Sequence, residues 1–250
     1  MNRLQTTMAK AVSKTAKIRL RPVSAVPSLK ERIYTQLKAQ ITSPQIYQPG
    51  AELRIDERGL AERLRISRTP LREALARLEQ EGLVRIAPRK GVFIVRKSKE
   101  EILEMILVWA ALESMAARLA TVEAADEEIA TLRSVFGTFG PEHQIGAHID
   151  EYSDANIRFH QRILELSKCQ LLYDTATELF IHMQAIRARS IGENDRVAQS
   201  IVDHMHIIEA LESRDTDLAE RLVREHTLSL HAHVERTWVE PAESEEELVA

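Results

Sequence analysis

Apolar residues recur along this chain at two rhythms. From Leu29 they follow steps of four through Ile33, Leu37 and Ile41, which aligns them on one face of a helix. Ser28 precedes that helix and Glu31 follows three residues on, the spacing of a capping box. Pro44, Pro49 and Gly50 interrupt the pattern. A short second helix is predicted over Leu60–Leu64 and a third over Arg68–Gln80, with Leu71, Leu75 and Leu78 facing inward. Gly82 can take the left-handed backbone that ends such a helix. The rhythm then shortens. Leu83-Val84-Arg85-Ile86 and Val92-Phe93-Ile94-Val95 are strand-like runs, separated by the basic turn Ala87-Pro88-Arg89-Lys90-Gly91. Three helices and a basic hairpin predict a winged helix-turn-helix DNA-binding domain over residues 28–97.

Beyond that hairpin the period is helical throughout. Ile102, Leu103, Ile106, Ala110, Leu112 and Ala116 mark one helix. Further helical patterns cover 126–136, 147–167, 170–190, 197–212 and 215–238, punctuated at Gly137, Gly140-Pro141, Gly192 and Ser213-Arg214-Asp215. No stretch of 99–239 alternates as a strand. The fold class expected is mainly α: an N-terminal winged helix-turn-helix and a C-terminal all-α bundle over 99–239. Residues 1–27 hold six basic and no acidic residues and are expected to be a disordered arm. Residues 240–250 hold five glutamates and are expected to form an acidic tail.

Charge divides the chain in the same place. The net charge of −4 argues against a nucleic-acid binder, but the first 98 residues carry 21 Lys+Arg against 8 Asp+Glu and the rest 13 against 30. The basic part can neutralise phosphates; the acidic part needs another partner. A length of 250 residues with 44% hydrophobic content suffices for two modest domains. No uninterrupted apolar run approaches the roughly 20 residues of a membrane span, and no signal-peptide segment opens the chain. We therefore expect a cytoplasmic protein without a membrane partner. The single cysteine, Cys169, excludes an internal disulfide and lies in no nucleophile motif.

Candidate chemistry lies first in Ile66-Ser67-Arg68-Thr69-Pro70-Leu71-Arg72-Glu73-Ala74-Leu75, where Arg68 and Arg72 stand one turn apart at the start of a helix. With Pro49-Gly50, Leu60-Ala61-Glu62, Glu81-Gly82-Leu83-Val84 and Pro88-Arg89-Lys90-Gly91, this ordered set resembles the N-terminal domain of the GntR family of bacterial transcription regulators. The resemblance implies that Arg58, Arg68 and Arg72 contact DNA and that Arg89, Lys90 and Gly91 line the minor groove. Arginine suits base reading because its fork bonds guanine O6 and N7 together. Ser67 and Thr69 can bond phosphates and cap the helix. The loop Ser43–Gln48 is slightly long for the family and is expected to alter only the surface.

The second candidate lies among the histidines. Asn156 and His160 share a helix face, and His204 and His226 fall on two later helices joined by a short turn. A bundle core can bring such side chains to one ion. These segments resemble the FCD domain of the FadR-like GntR subfamily over roughly residues 100–235. The resemblance implies a divalent metal, zinc first with nickel or manganese as alternatives, on Asn156, His160, His204 and His226. Asn156 departs from the aspartate common there and is a poorer donor. By the same resemblance, Arg187 and His182 line an effector pocket. Trp109 stands where an arginine is common and is counted with them.

The function this predicts is a metabolite-responsive regulator. It would bind a pseudo-palindromic operator as a homodimer, with a small carboxylate as effector. The alternative is a metal-dependent enzyme on the bundle with the winged helix as targeting module, which turnover of candidate ligands would reveal. A constitutive binder with a structural metal is a third reading; its operator affinity would ignore every metabolite.

Overall fold

A computed structural model describes residues 27–48, 50–136, 149–190 and 194–239; within these, the side chains of 44, 149–153, 181, 184–185, 188–190 and 194–197 are not described. Pro49, the glycine breaks at 137, 140 and 192, the acidic tail and all of the basic arm but Pro27 lie outside these residues.

Local sequence explains each element of the head. Helix α1 (Leu29–Ile41) starts at Ser28, whose Oγ accepts the Glu31 N–H at 3.3 Å. The Glu31 carboxylate accepts from Arg77 at 2.9 Å. Ile33 and Ile41 are buried as the pattern predicts, but Leu29 is 48% exposed and Tyr34 fills the core beside them. The first turn of a helix protrudes beyond its neighbours, so a periodic apolar residue there finds nothing to cover it. A 3₁₀ turn (Pro44–Tyr47) follows, then β1 (Arg54–Ile55), a strand the sequence pattern does not reveal. Helix α2 (Glu57–Leu64) begins earlier than its apolar residues suggest because Asp56 caps it, accepting from the N–H groups of Arg58 and Gly59. Arg65, at φ +54°, turns the chain into α3 (Arg68–Gln80). Gly82, at φ +70°, ends α3, and the Leu83 N–H returns to the Leu78 carbonyl at 2.9 Å. Strands β2 (Val84–Ala87) and β3 (Gly91–Ile94) form the wing, and the antiparallel sheet runs β1-β3-β2 with Arg85 opposite Phe93. Leu71, Leu75 and Leu78 pack with Ile33, Val84 and Val92 as the core of the head.

The remaining helices are α4 (Lys99–Glu123), α5 (Asp126–Val135), α6 (Ile149–Leu166), α7 (Gln170–Ser190), α8 (Asn194–Glu212) and α9 (Thr216–Thr237). Helix α4 opens on a full capping box between Ser98 and Glu101. It is the central element, packed against α9, α6, α7 and α8. Its buried Ala110, Ala116, Ala117 and Ala120 let neighbouring backbones approach. By length and composition α4 is apolar enough to cross a membrane, although Glu104, Glu113 and Arg118 break its apolar run. Half of its most apolar window is covered inside the bundle.

The long loop is not confined to the surface. Tyr47 is 3% exposed and belongs to the hydrophobic cluster of the bundle, not of the head. Its ring meets Trp238 edge-on with centroids 5.1 Å apart, and its Oη accepts the Lys97 N–H at 3.3 Å. An aromatic ring with a polar tip can bury its body and still satisfy its hydroxyl, which fastens the loop to the bundle.

Candidate functional site

The first candidate surface belongs to the head. Arg58, Ser67, Arg68, Thr69, Arg72, Arg89 and Lys90 are all exposed, and Gly91 is half-buried. Ser67 occupies the N-cap position of α3 and makes no side-chain cap bond, so its hydroxyl and the first-turn N–H groups face outward together. Arg58 pairs with Glu62 at 3.0 Å and Arg72 with Glu57 at 2.9 Å. Exposed pairs of this kind are worth about 0–1 kcal/mol, so a phosphate or guanine edge can replace the carboxylate cheaply. At the wing tip the Lys90 N–H donates to the Ala87 carbonyl at 3.0 Å, with Arg89 in the left-handed region at φ +67°. Arg54 of β1 donates to the Lys90 carbonyl at 3.2 Å and lines a groove between α3 and the wing with Arg72, Arg89 and Lys90. Sequence reading missed Arg54 because its strand is only two residues long.

The second candidate site lies inside the bundle. Helix α6 supplies His160, α8 supplies His204 and α9 supplies His226; all three are buried, with ligating atoms within 4.8 Å of one another. His204 Nε2 and His226 Nε2 are 3.1 Å apart. Phe159 and Phe136 pack on the His204 ring and form its apolar wall. Asn156 lies one turn before His160 and is 2% exposed.

The donors and acceptors fix the histidine forms. Arg187 Nη1 lies 2.7 Å from His160 Nε2. A guanidinium only donates, so Nε2 is the acceptor and the proton sits on Nδ1. That Nδ1–H donates to Glu113 Oε1, a residue 0% exposed. Glu113 Oε2 accepts from the Trp109 indole at 2.6 Å and the Thr227 hydroxyl at 3.0 Å. Arg187 Nη2 approaches the same oxygen at 3.7 Å. On the far side, His226 Nδ1 meets Asp203 Oδ2 at 3.1 Å. Burial holds all three imidazoles below their ordinary 6.5, His160 and His204 well below. Arg187 adds to that shift, while Asp203 opposes it at His226. The histidines are therefore neutral at pH 7, the form that ligates a metal. Burial pushes the Glu113 carboxyl up, against the pull of Arg187, His226 and its two donors.

These residues fit a divalent metal. Two nitrogens each about 2.1 Å from one ion stand roughly 3.0–3.4 Å apart, which the His204–His226 separation matches. Glu113 and Asp203 sit behind His160 and His226 as carboxylates that orient ligating imidazoles do. The Asn156 Oδ1 is buried without a hydrogen-bond partner, a donor atom of the kind a cation would satisfy.

The structure thus brings together His160, His204, His226 and Arg187. It puts Trp109 beside them through Glu113, with its ring fully buried against Phe180 at 5.2 Å. His182 does not join the group. Its electrostatic neighbours are Lys97, Glu101 and Lys38, at the junction with the head, and burial lowers its pKa to about 4. Sequence reading missed Glu113, although an acid on the apolar stripe Ile102, Ile106, Trp109, Ala110, Ala116 was a visible signal. Asp203 and Thr227 gave no such signal beside their histidines.

Residues 104–229 match the FCD domain, and residues 29–94 match the bacterial regulatory proteins of the gntR family. The Nta operon transcriptional regulator of Aminobacter aminovorans is 33% identical over 189 residues, covering 72% of this chain and 82% of that protein. The HTH-type transcriptional repressor RspR of Escherichia coli K12 is 26% identical over 215 residues, covering 85% and 90%. Among solved structures, E. coli McbR/YncC superposes with a TM-score of 0.68 at 21% identity, covering 85% of this chain and 99% of that one, which shows a shared fold.

Proposed function

Because this chain belongs to the gntR family of bacterial transcription regulators, with an FCD domain behind its DNA-binding head, we propose that it is a metabolite-responsive regulator binding a pseudo-palindromic operator as a homodimer. A family of transcription regulators decides against the enzyme reading. On this reading the protein works in the cytoplasm, where operator DNA is.

The observation that carries the effector half of the proposal is the convergence of His160, His204 and His226 from three helices, with the orphaned Asn156 Oδ1 one helical turn before His160. These four would hold a divalent metal, with zinc preferred for its imidazole ligands. A bound metal supplies a Lewis-acidic anchor for one oxygen of a carboxylate effector. Arg187 supplies the other anchor, since a guanidinium bonds a carboxylate in parallel. Trp109 closes the site through Glu113. His182 would act at the junction with the head, away from the effector itself.

The DNA half rests on the exposed Arg58, Arg68 and Arg72 and on the wing residues Arg89, Lys90 and Gly91. Ser67 and Thr69 would fix phosphates at the start of α3. Dimerisation is supported by an apolar stripe on the outer face of α4: Val108 is 50%, Met115 44% and Val122 68% exposed. They recur at seven-residue steps, the period with which one helix packs on a copy of itself. Helix α7 carries Arg187 at the histidine cluster and packs against the 3₁₀ turn of the head. Effector binding that favours one α7 position would shift the two heads relative to the half-sites.

Operator binding of purified protein to DNA from upstream of its own gene, with and without Zn²⁺, tests the reading. The wild type should change affinity with Zn²⁺, and His204→Ala should bind DNA yet ignore Zn²⁺. Equal affinities for the wild type with and without Zn²⁺ would count against the metal's regulatory part.

A further inference from the structure

Arg187 holds the lone pair that a metal would need. His160 Nδ1 is committed to Glu113, so Nε2 is the only nitrogen the ring can offer an ion. That nitrogen already accepts from Arg187 Nη1 at 2.7 Å. A guanidinium stays protonated at any working pH, so Arg187 cannot yield by losing a proton; it has to move. The surrounding charge sharpens the conflict. Arg187 is 4% exposed, and the side chain one turn before His160 is the neutral amide of Asn156 rather than a carboxylate. Glu113 is the buried carboxylate that faces Arg187, at 3.7 Å and already accepting three donors. A divalent ion on His160, His204 and His226 would therefore meet a cation at close range, with the Glu113 carboxylate already shared among its donors and Asp203 on the far side, behind His226.

We propose that Arg187 competes with the metal for His160 Nε2 and that a carboxylate anion releases it. A carboxylate offers the guanidinium two parallel charged acceptors, a better partner than one imidazole lone pair. Once Arg187 turns to the anion, Nε2 faces the ion, and the anion adds the negative charge that Asn156 lacks. Metal and carboxylate then bind as a pair, each raising the affinity of the other by the same factor. Operator control would respond more strongly to the two together than to either alone. This inference rests on the metal reading of the histidine cluster.

The test is a Zn²⁺ titration of the full-length protein against a chromophoric chelator, with and without acetate, for wild type and R187M. Circular dichroism confirms the fold, and R187Q replaces R187M if that variant does not fold. We expect Arg187→Met to bind Zn²⁺ about ten- to a hundredfold more tightly than wild type without acetate, the range over which neighbours of metal ligands act. A merely structural role predicts a loss instead. Acetate should tighten Zn²⁺ binding by wild type by a larger factor than by R187M, where only its contact with the ion remains. Zn²⁺ bound no more tightly by R187M than by wild type overturns the competition, and acetate tightening as large in R187M as in wild type overturns the release. Zn²⁺ bound by neither the wild type nor the variants would instead remove the metal reading beneath both.

Discussion

Glu113 is the residue on which the histidine site turns. Its two oxygens collect Trp109, Thr227 and His160, and so set which nitrogen His160 presents. Glu113→Gln keeps the shape but adds a donor that conflicts with Nδ1–H. Metal affinity measured by chelator competition should fall about ten- to a hundredfold, with operator affinity in the absence of metal unchanged; unaltered metal affinity would contradict the role. Acidity acts at the same scale. Burial lowers His182 to about 4 from 6.5, and His160, His204 and His226 move the same way. Between those pH values the unfolded chain binds protons that the folded chain refuses. The stability His182 contributes is complete above pH 6.5 and drains away as pH falls toward 4, and His160, His204 and His226 likewise lose theirs as pH falls below 6.5. Raised by burial, Glu113 works in the opposite direction. Thermal melts should show Tm falling across that window and a shallower fall in His182→Gln; a flat Tm would refute the assignment. Residue chemistry was partly legible: the histidines stood out by type and register, whereas Glu113 is one acid among many until burial singles it out.

Elements show where periodicity suffices and where it fails. Helix α3 reads cleanly because Leu71, Leu75 and Leu78 are all buried and Gly82 stops it with a positive φ. Strand β1 is too short to show an alternation, and the start of α2 depends on the Asp56 cap rather than on any apolar residue. Packing between distant elements leaves no local trace. Helix α4 has no basic residue in its last turn, and the cation comes from the α8–α9 turn instead. Arg214 there, at φ +58°, donates to the carbonyls of Thr121 at 3.1 Å and Ala124 at 2.7 Å and pairs with Asp126. Removing it leaves the end of the central helix uncapped. We expect Arg214→Ala to cost about 2 kcal/mol in urea unfolding, the scale of a charged hydrogen bond, and a cost under about 0.5 kcal/mol would show water to be an adequate substitute. The docking of Tyr47 on Trp238 belongs to the same class, since 191 positions of sequence separate two rings 5.1 Å apart.

At the scale of the whole molecule, the split of charge matches a division of labour. The basic head carries the exposed arginines proposed to meet phosphate; the acidic bundle gathers buried histidines, Arg187 and Glu113 into one centre. Helix α7 packs on the 3₁₀ turn, so the loop that looked like a surface insertion lies on the proposed route between effector and operator. Fold class could be read from pattern alone because two periods, two charge regimes and a run of turn residues all change near residue 98. The packing of head on bundle could not, since it depends on which side chains meet across the junction. The most direct test of the central claim is elemental analysis of purified, untagged protein beside its His204→Ala variant. About one metal per chain in the wild type and none in the variant is the predicted result. No metal in either, after loading with Zn²⁺, Ni²⁺ or Mn²⁺, would contradict it and leave Arg187 as a metal-independent anchor for an anion.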